Sequence, residues 1–108
     1  MNTFKENFNK IRMWLDDVRP MPREYNYHAK TSIEAINMLK NGNVVFISFD
    51  HDLGEDDTGY KVAQWIEEAA YNNKIKPIDW QIHSANPIGA KRIESTMKNA
   101  ERFWNESI

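Results

Sequence analysis

Asp50, His51 and Asp52 place two carboxylates and an imidazole in consecutive positions, directly after the apolar run Val44-Val45-Phe46-Ile47-Ser48-Phe49. Two other apolar runs end in the same kind of side chain. Ile11-Arg12-Met13-Trp14-Leu15 delivers Asp16-Asp17, and Ile78-Asp79-Trp80-Gln81-Ile82 delivers His83-Ser84-Ala85-Asn86. Carboxylates clustered in a confined place repel one another unless a cation compensates them, and an all-oxygen set suits Mg²⁺ or Mn²⁺. Imidazoles titrate near neutrality and can take or give a proton there. An isolated Asp-Asp is as often a turn or a helix cap, and a lone histidine is more often a packing residue. Agreement between three strand ends favours a site.

The expected roles follow from chemistry. Asp16, Asp17 and Asp50 would hold a divalent cation, while His51 and His83 would divide general acid and base duty, with Asp52 orienting an imidazole or completing the metal shell. The pair Asn86-Pro87 reads as a cap and the first position of a helix, whose free N–H groups attract an anion. Ser84 and Asn86 are therefore candidate phosphate contacts. Arg19 is the cation nearest Asp16 and Asp17 in sequence, placed to pair with them or to clamp a phosphate. Tyr60, opening a helix after Gly59, is expected to place its hydroxyl over the rim. Asp16, Asp17, Asp50 and Asp52 together bring about four negative charges, so phosphate chemistry here requires a bound cation, a protonated histidine, or both. His28 reads as structural. Trp14, Trp65 and Trp104 fall on apolar faces, and Trp80 alternates with polar neighbours.

These residues need a scaffold that brings strand ends together. A run as apolar as Val44–Phe49 reads as a strand buried on both faces, hence a parallel sheet, and such sheets bind ligands beyond the carboxyl ends of their strands. Ile11–Leu15 and Ile78–Ile82 read as further strands, and Tyr25–Ala29 as a short edge strand. Pro20 and Pro22 make Asp16–Arg23 a loop where a helix would otherwise fit. Thr31 and Glu34 have capping-box spacing ahead of the apolar positions Ala35, Ile36 and Leu39, and Gly42 closes that helix. A second helix is capped near Asp57 or Thr58 and buries Val62, Trp65, Ile66 and Ala69. The last buries Ile93, Met97, Ala100 and Trp104. The result is an α/β fold: a small doubly wound, mainly parallel four-stranded sheet with helices on both faces.

The chain's 108 residues make a single domain, residues 1–108, with 1–10 as a polar lead-in. A net charge of −2 without any basic block argues against extended contact with duplex nucleic acid. The most basic stretch, Lys91, Arg92, Lys98 and Arg102, is diffuse. Zero cysteines exclude disulfides, thiolate metal sites and thiol catalysis. The residues Met1-Asn2-Thr3-Phe4-Lys5-Glu6 lack the apolar core of a secretory signal, and no run is long enough to span a membrane, so the expectation is a cytoplasmic protein without a membrane partner. It is expected to be a monomer, or a homodimer paired through the edge strand.

The segments Trp14-Leu15-Asp16-Asp17-Val18-Arg19-Pro20, Ser48-Phe49-Asp50-His51-Asp52-Leu53-Gly54, Gly59-Tyr60 and His83-Ser84-Ala85-Asn86-Pro87, in this order, resemble the cyclic-phosphate processing receiver-like family. The resemblance runs from about Arg12 to the last helix. It implies a truncated receiver-like α/β fold and a role in handling cyclic phosphate ends, as in RNA repair or nucleotide processing. Response-regulator receivers use an acidic pair after strand one, a phospho-accepting aspartate after strand three, and Mg²⁺; Asp16, Asp17 and Asp50 fall on those positions. Against ordinary receivers the expected departures are a fold without the fifth strand and its lysine, a loop for the first helix, and two added histidines. The leading expectation is thus a metal-assisted phosphoesterase (a hydrolase) acting on a cyclic nucleotide or an RNA-end phosphate. Its competitors are a module that captures a nucleotide signal without turnover, and a degenerate receiver that docks a protein partner.

Overall fold

The structure, a computed structural model, describes residues 10–106. Four strands, β1 (Ile11–Leu15), β2 (Tyr27–Ala29), β3 (Val44–Phe49) and β4 (Asp79–Ile82), form one all-parallel sheet in the order β2-β1-β3-β4. Three helices follow: α1 (Ser32–Leu39) after β2, α2 (Gly59–Tyr71) after β3, and α3 (Pro87–Glu106) after β4. The chain leaves β1 toward one edge and then crosses back to β3. The crevice beyond β1 and β3 is therefore the topological switch point, where open α/β sheets bind ligands.

Local signals set most of these boundaries. Thr31 and Glu34 form the expected capping box, the Thr31 side chain accepting from the Glu34 amide while Glu34 reaches back to the Thr31 amide. Gly42, at φ +82°, makes the left-handed turn that ends the segment. The N-cap of α2 is Thr58; the neighbouring Asp57 carboxylate accepts from the Thr58 amide and from both the amide and hydroxyl of Ser32. The edge strand is shorter than Tyr25–Ala29 because the Tyr25 amide turns back to the Pro22 carbonyl. Ile78 precedes β4 and is buried without belonging to the strand.

Side-chain parity divides the sheet. Met13 and Leu15 align with Ile47 and Phe49, with Tyr27 and Ala29, and on the other side with Trp80 and Ile82. These residues pack in one apolar cluster with Ala35, Leu39, Val62, Ile66, Ile93, Met97 and Ala100, which come from all three helices. Helices thus cover one face of the sheet. This corrects the expectation of helices on both faces. The chain still winds both ways, but the connection from β1 to β2 is the proline-bearing loop, and it covers the second face as a strap.

The strap holds through aromatic and cation contacts. Tyr25, 6% exposed, meets Trp14 at 5.1 Å and Phe46 at 6.0 Å between ring centroids. The Arg12 guanidinium lies over Phe46 at 4.5 Å and over Tyr25 at 5.5 Å, and its Nε donates to the Glu24 carbonyl. Tyr25→Ala removes the centre of this layer. It is expected to cost about 3 kcal/mol, read as a lower urea midpoint at unchanged slope. Among the described residues, no helix is long and apolar enough to cross a membrane.

Candidate functional site

The sheet ladder runs one residue past the strands. The Asp16 amide donates to the Ala29 carbonyl, Asp50 to Leu15, and His83 to Phe49. Asp16, Asp50 and His83 therefore stand side by side at the carboxyl rim, on the switch-point crevice. The three carboxylates of Asp16, Asp17 and Asp50 each offer an oxygen within 4.8 Å of the others. Gly54 shapes the opposite wall. Its φ of +86° favours glycine, and a Cβ there would lie 3.1 Å from Asp17 Oδ2. Gly59 lets α2 start directly against the strand end, where any side chain would run into the Asp50 carbonyl.

Asp16 is fully buried and heavily bonded. Its Oδ1 accepts from the amides of Val18 (2.8 Å) and Arg19 (2.7 Å), and its Oδ2 lies 2.9 Å from His83 Nε2. Burial pushes this carboxyl up, but the Arg19 and Val18 amides and then His83 outweigh it, and it titrates below the ordinary carboxylate range. Asp50 goes the other way: burial, then the charge of Asp16, hold it above that range, against the His51 amide that donates to its Oδ1. Burial holds His83 below the usual imidazole value, although Asp16 pulls upward. The pair is therefore an ionised Asp16 and a neutral His83. Nε2–H donates to Asp16, and Nδ1, 2.7 Å from Ser48 Oγ, accepts from that hydroxyl.

The second histidine belongs to a separate group. His51 Nδ1 is 2.9 Å from Asp52 Oδ1, and the bonded imidazole holds the Asp52 carboxyl below its ordinary value. The His51 ring lies against Gly89 of α3, where a Cβ would strike it. Asn86 caps α3, its Oδ1 accepting from the Gly89 amide, while its Nδ2 reaches Asp52 Oδ2 at 3.5 Å. Ser84 Oγ accepts from the Asn86 amide and closes the turn before the helix. So His51, Asp52, Asn86 and Ser84 gather around the start of α3. The His51 amide, bonded to Asp50, joins them to the carboxylate cluster.

Arg19 pairs with main chain instead of with the aspartates. Its Nη1 donates to the His83 carbonyl at 2.7 Å, pinning the strap to the end of β4. Its charge still bears on Asp50 and His83. Tyr60 packs against the core with the Arg92 guanidinium 4.4 Å over its ring, and no contact among the described residues carries its hydroxyl to the rim.

Several site residues escape a reading of strand ends alone. Trp14 stacks flat on His83, with centroids 3.8 Å apart and planes 4° from parallel. Ser48 is fully buried beneath that imidazole. Gln81 Nε2 donates to Ser48 Oγ and to the Tyr25 hydroxyl. His28 Nε2 donates to the Asp16 carbonyl at 2.7 Å, so this histidine is structural, as expected, but serves the site. The available signal was parity: Trp14, Ser48 and Gln81 each precede Asp16, Asp50 and His83 by two positions, and so face the same way.

Comparison with known families matches residues 11–99 to the cyclic-phosphate processing receiver domain. Neither the comparison with curated proteins nor that with solved structures gives a match. The matched stretch takes in all four strands, the acidic cluster and both histidine groups. On that span the chain belongs to the cyclic-phosphate processing receiver domain family.

Proposed function

We propose that this domain is a divalent-cation-dependent phosphoesterase acting on cyclic or terminal phosphates of nucleotides or RNA ends. The observation that carries the reading is the convergence of Asp16, Asp17 and Asp50 within 4.8 Å at the switch point. The donors fit a hard cation such as Mg²⁺ or Mn²⁺. A carboxylate offers about four lone-pair positions; the side-chain oxygens of Asp16 use three and keep one for the cluster. Asp17 spends none of its carboxylate on another described residue. A cation held here supplies positive charge opposite phosphoryl oxygens and makes water more acidic.

The protein's own groups divide the remaining work. Asp52 fixes His51 with its proton on Nδ1, which leaves Nε2 as the atom that takes a proton from the attacking oxygen. Asp52 then stabilises the resulting imidazolium, while the ribose oxygen that leaves phosphorus as the ring opens takes its proton from solvent water. Both nitrogens of His83 are already bonded, so in this reading it holds Asp16 in place instead of sharing acid and base duty. The Ser84 hydroxyl hydrogen and the unused N–H groups of Arg19 are donors for non-bridging phosphate oxygens. Tyr60 receives no role.

A panel of 2′,3′-cyclic nucleotides and RNAs with a cyclic end tests the reading. The purified protein is expected to open the ring to a monoester with Mg²⁺ or Mn²⁺, and to stop when EDTA removes the cation. No cleavage of any panel member with either cation would sink it. The engaged ring of His83 favours one other reading, capture of the phosphate without turnover. Stoichiometric binding with intact ligand recovered would establish that one.

A further inference from the structure

We propose that Ser48 is a positioning residue for the acidic cluster, setting the orientation of His83 and through it the cation affinity of Asp16; this rests on the cation reading above. Ser48 is a hydroxyl inside the apolar run of a central strand, with 0% exposure. Such a group is costly to bury unless it is bonded, and an alanine there would avoid the cost. Here it accepts from Gln81 Nε2 at 3.2 Å and donates to His83 Nδ1 at 2.7 Å. Gln81 is in turn bonded to the Tyr25 hydroxyl at 3.1 Å. A polar chain thus leads from the strap through Gln81, Ser48 and His83 to Asp16.

The order serine, histidine, aspartate is also that of a hydrolytic triad, but the burial excludes that use. The hydroxyl is sealed beneath the sheet surface, and the acid stands at the rim, so the chain is oriented toward the carboxylate. Trp14 fixes the imidazole's plane, and Arg19 holds the His83 carbonyl. Ser48 bonds the ring nitrogen opposite the one that meets Asp16, and so opposes a flip of the ring about Cβ–Cγ that the stack on Trp14 alone would allow. Without it Nδ1 loses its donor, the ring can turn, and Nε2 no longer holds Asp16 Oδ2 at a fixed angle. Groups bonded directly to a ligand, as His83 is to Asp16, change metal affinity by about 10–100-fold in other sites, and Ser48 acts one bond further out.

The test is Mn²⁺ calorimetry with ¹⁵N spectra of the His83 ring, on the native chain, Ser48→Ala and Ser48→Thr. Ser48→Ala is expected to bind Mn²⁺ about 10-fold more weakly. Ser48→Thr, which keeps the hydroxyl, is expected to return most of the affinity. The Nδ1 resonance should move in Ser48→Ala from a hydrogen-bonded to an unbonded position, which a role in packing alone would not produce. Equal affinity in Ser48→Ala and the native chain overturns the proposal. If the native chain binds no Mn²⁺, the cation reading fails separately, and an unchanged His83 ring spectrum in Ser48→Ala then overturns the positioning role as well. Should Ser48→Ala not fold, Ser48→Cys keeps the shape of the side chain and replaces the hydroxyl by a weak donor; unchanged affinity and ring spectrum there are equally fatal.

Discussion

Asp50→Asn is expected to raise the melting temperature of the cation-free protein and, on the proposed function, to remove the further rise expected when Mn²⁺ is added to the native chain. Burial, then the charge of Asp16, hold the Asp50 carboxyl above its ordinary value of 3.8. The folded state therefore binds this proton more tightly than the unfolded chain does. Stability falls as pH climbs from the unfolded value through the raised one, and the loss persists at neutrality. Asparagine carries no charge, still accepts from the His51 amide, and offers its own N–H groups to the neighbouring carboxylates. Water at this half-buried position limits the gain to about 4 °C, roughly 1 kcal/mol for a domain of this size. Below the ordinary carboxylate range the advantage disappears, because the native Asp50 is then protonated too. The loss on the functional side is larger: a cation at about 100 times its Kd contributes about 2.7 kcal/mol to a protein that binds it only when folded. Thermal scans at neutral and acid pH, with and without Mn²⁺, check both halves. A variant less stable than the native apo chain, or one still stabilised by Mn²⁺, would contradict the assignment.

His51→Gln and His83→Gln are expected to fail in different ways. His51 touches the cluster through its backbone amide, which glutamine retains, while its ring belongs to Asp52 and Gly89. His51→Gln therefore leaves the Mn²⁺ affinity unchanged and lowers turnover of a 2′,3′-cyclic nucleotide by about 10²–10⁴-fold, the usual contribution of a general base. His83→Gln removes the side-chain donor to Asp16 Oδ2, the partner of Ser48 and the ring beneath Trp14. Its Mn²⁺ affinity falls about 10–100-fold, and turnover is recovered in part at high Mn²⁺ concentration. Calorimetry beside initial rates separates the two variants. Indistinguishable behaviour in both measurements would erase the division of labour between the histidines.

What the sequence made legible was local. The acids stand at strand ends because the apolar runs stop there, and the Thr31–Glu34 box and Gly42 mark their helix by spacing alone. Pro20 and Pro22 announced that no helix follows β1. They did not disclose what covers the sheet instead, because Tyr25 reaches Phe46 and Gln81 only through the fold. The same holds inside the site. Trp14 was legible as an apolar, buried side chain, but its partner His83 comes from a strand on the far side of β3. Ser48 read as part of an apolar run, and only the sheet register sets it under an imidazole. Tyr60 was placed over the rim by its position at a helix start, whereas the observed contact, Arg92, lies on another helix. Spacing locates the ends of elements; which side chains then meet is decided by pairing across the sheet.

The most direct test is a crystal soaked in Mn²⁺ and measured at the manganese edge. The account predicts one anomalous peak between the carboxylates of Asp16, Asp17 and Asp50, with His51 and His83 outside its coordination shell. A fully soaked crystal with no peak there, or with the ion bound instead by an imidazole, would contradict it.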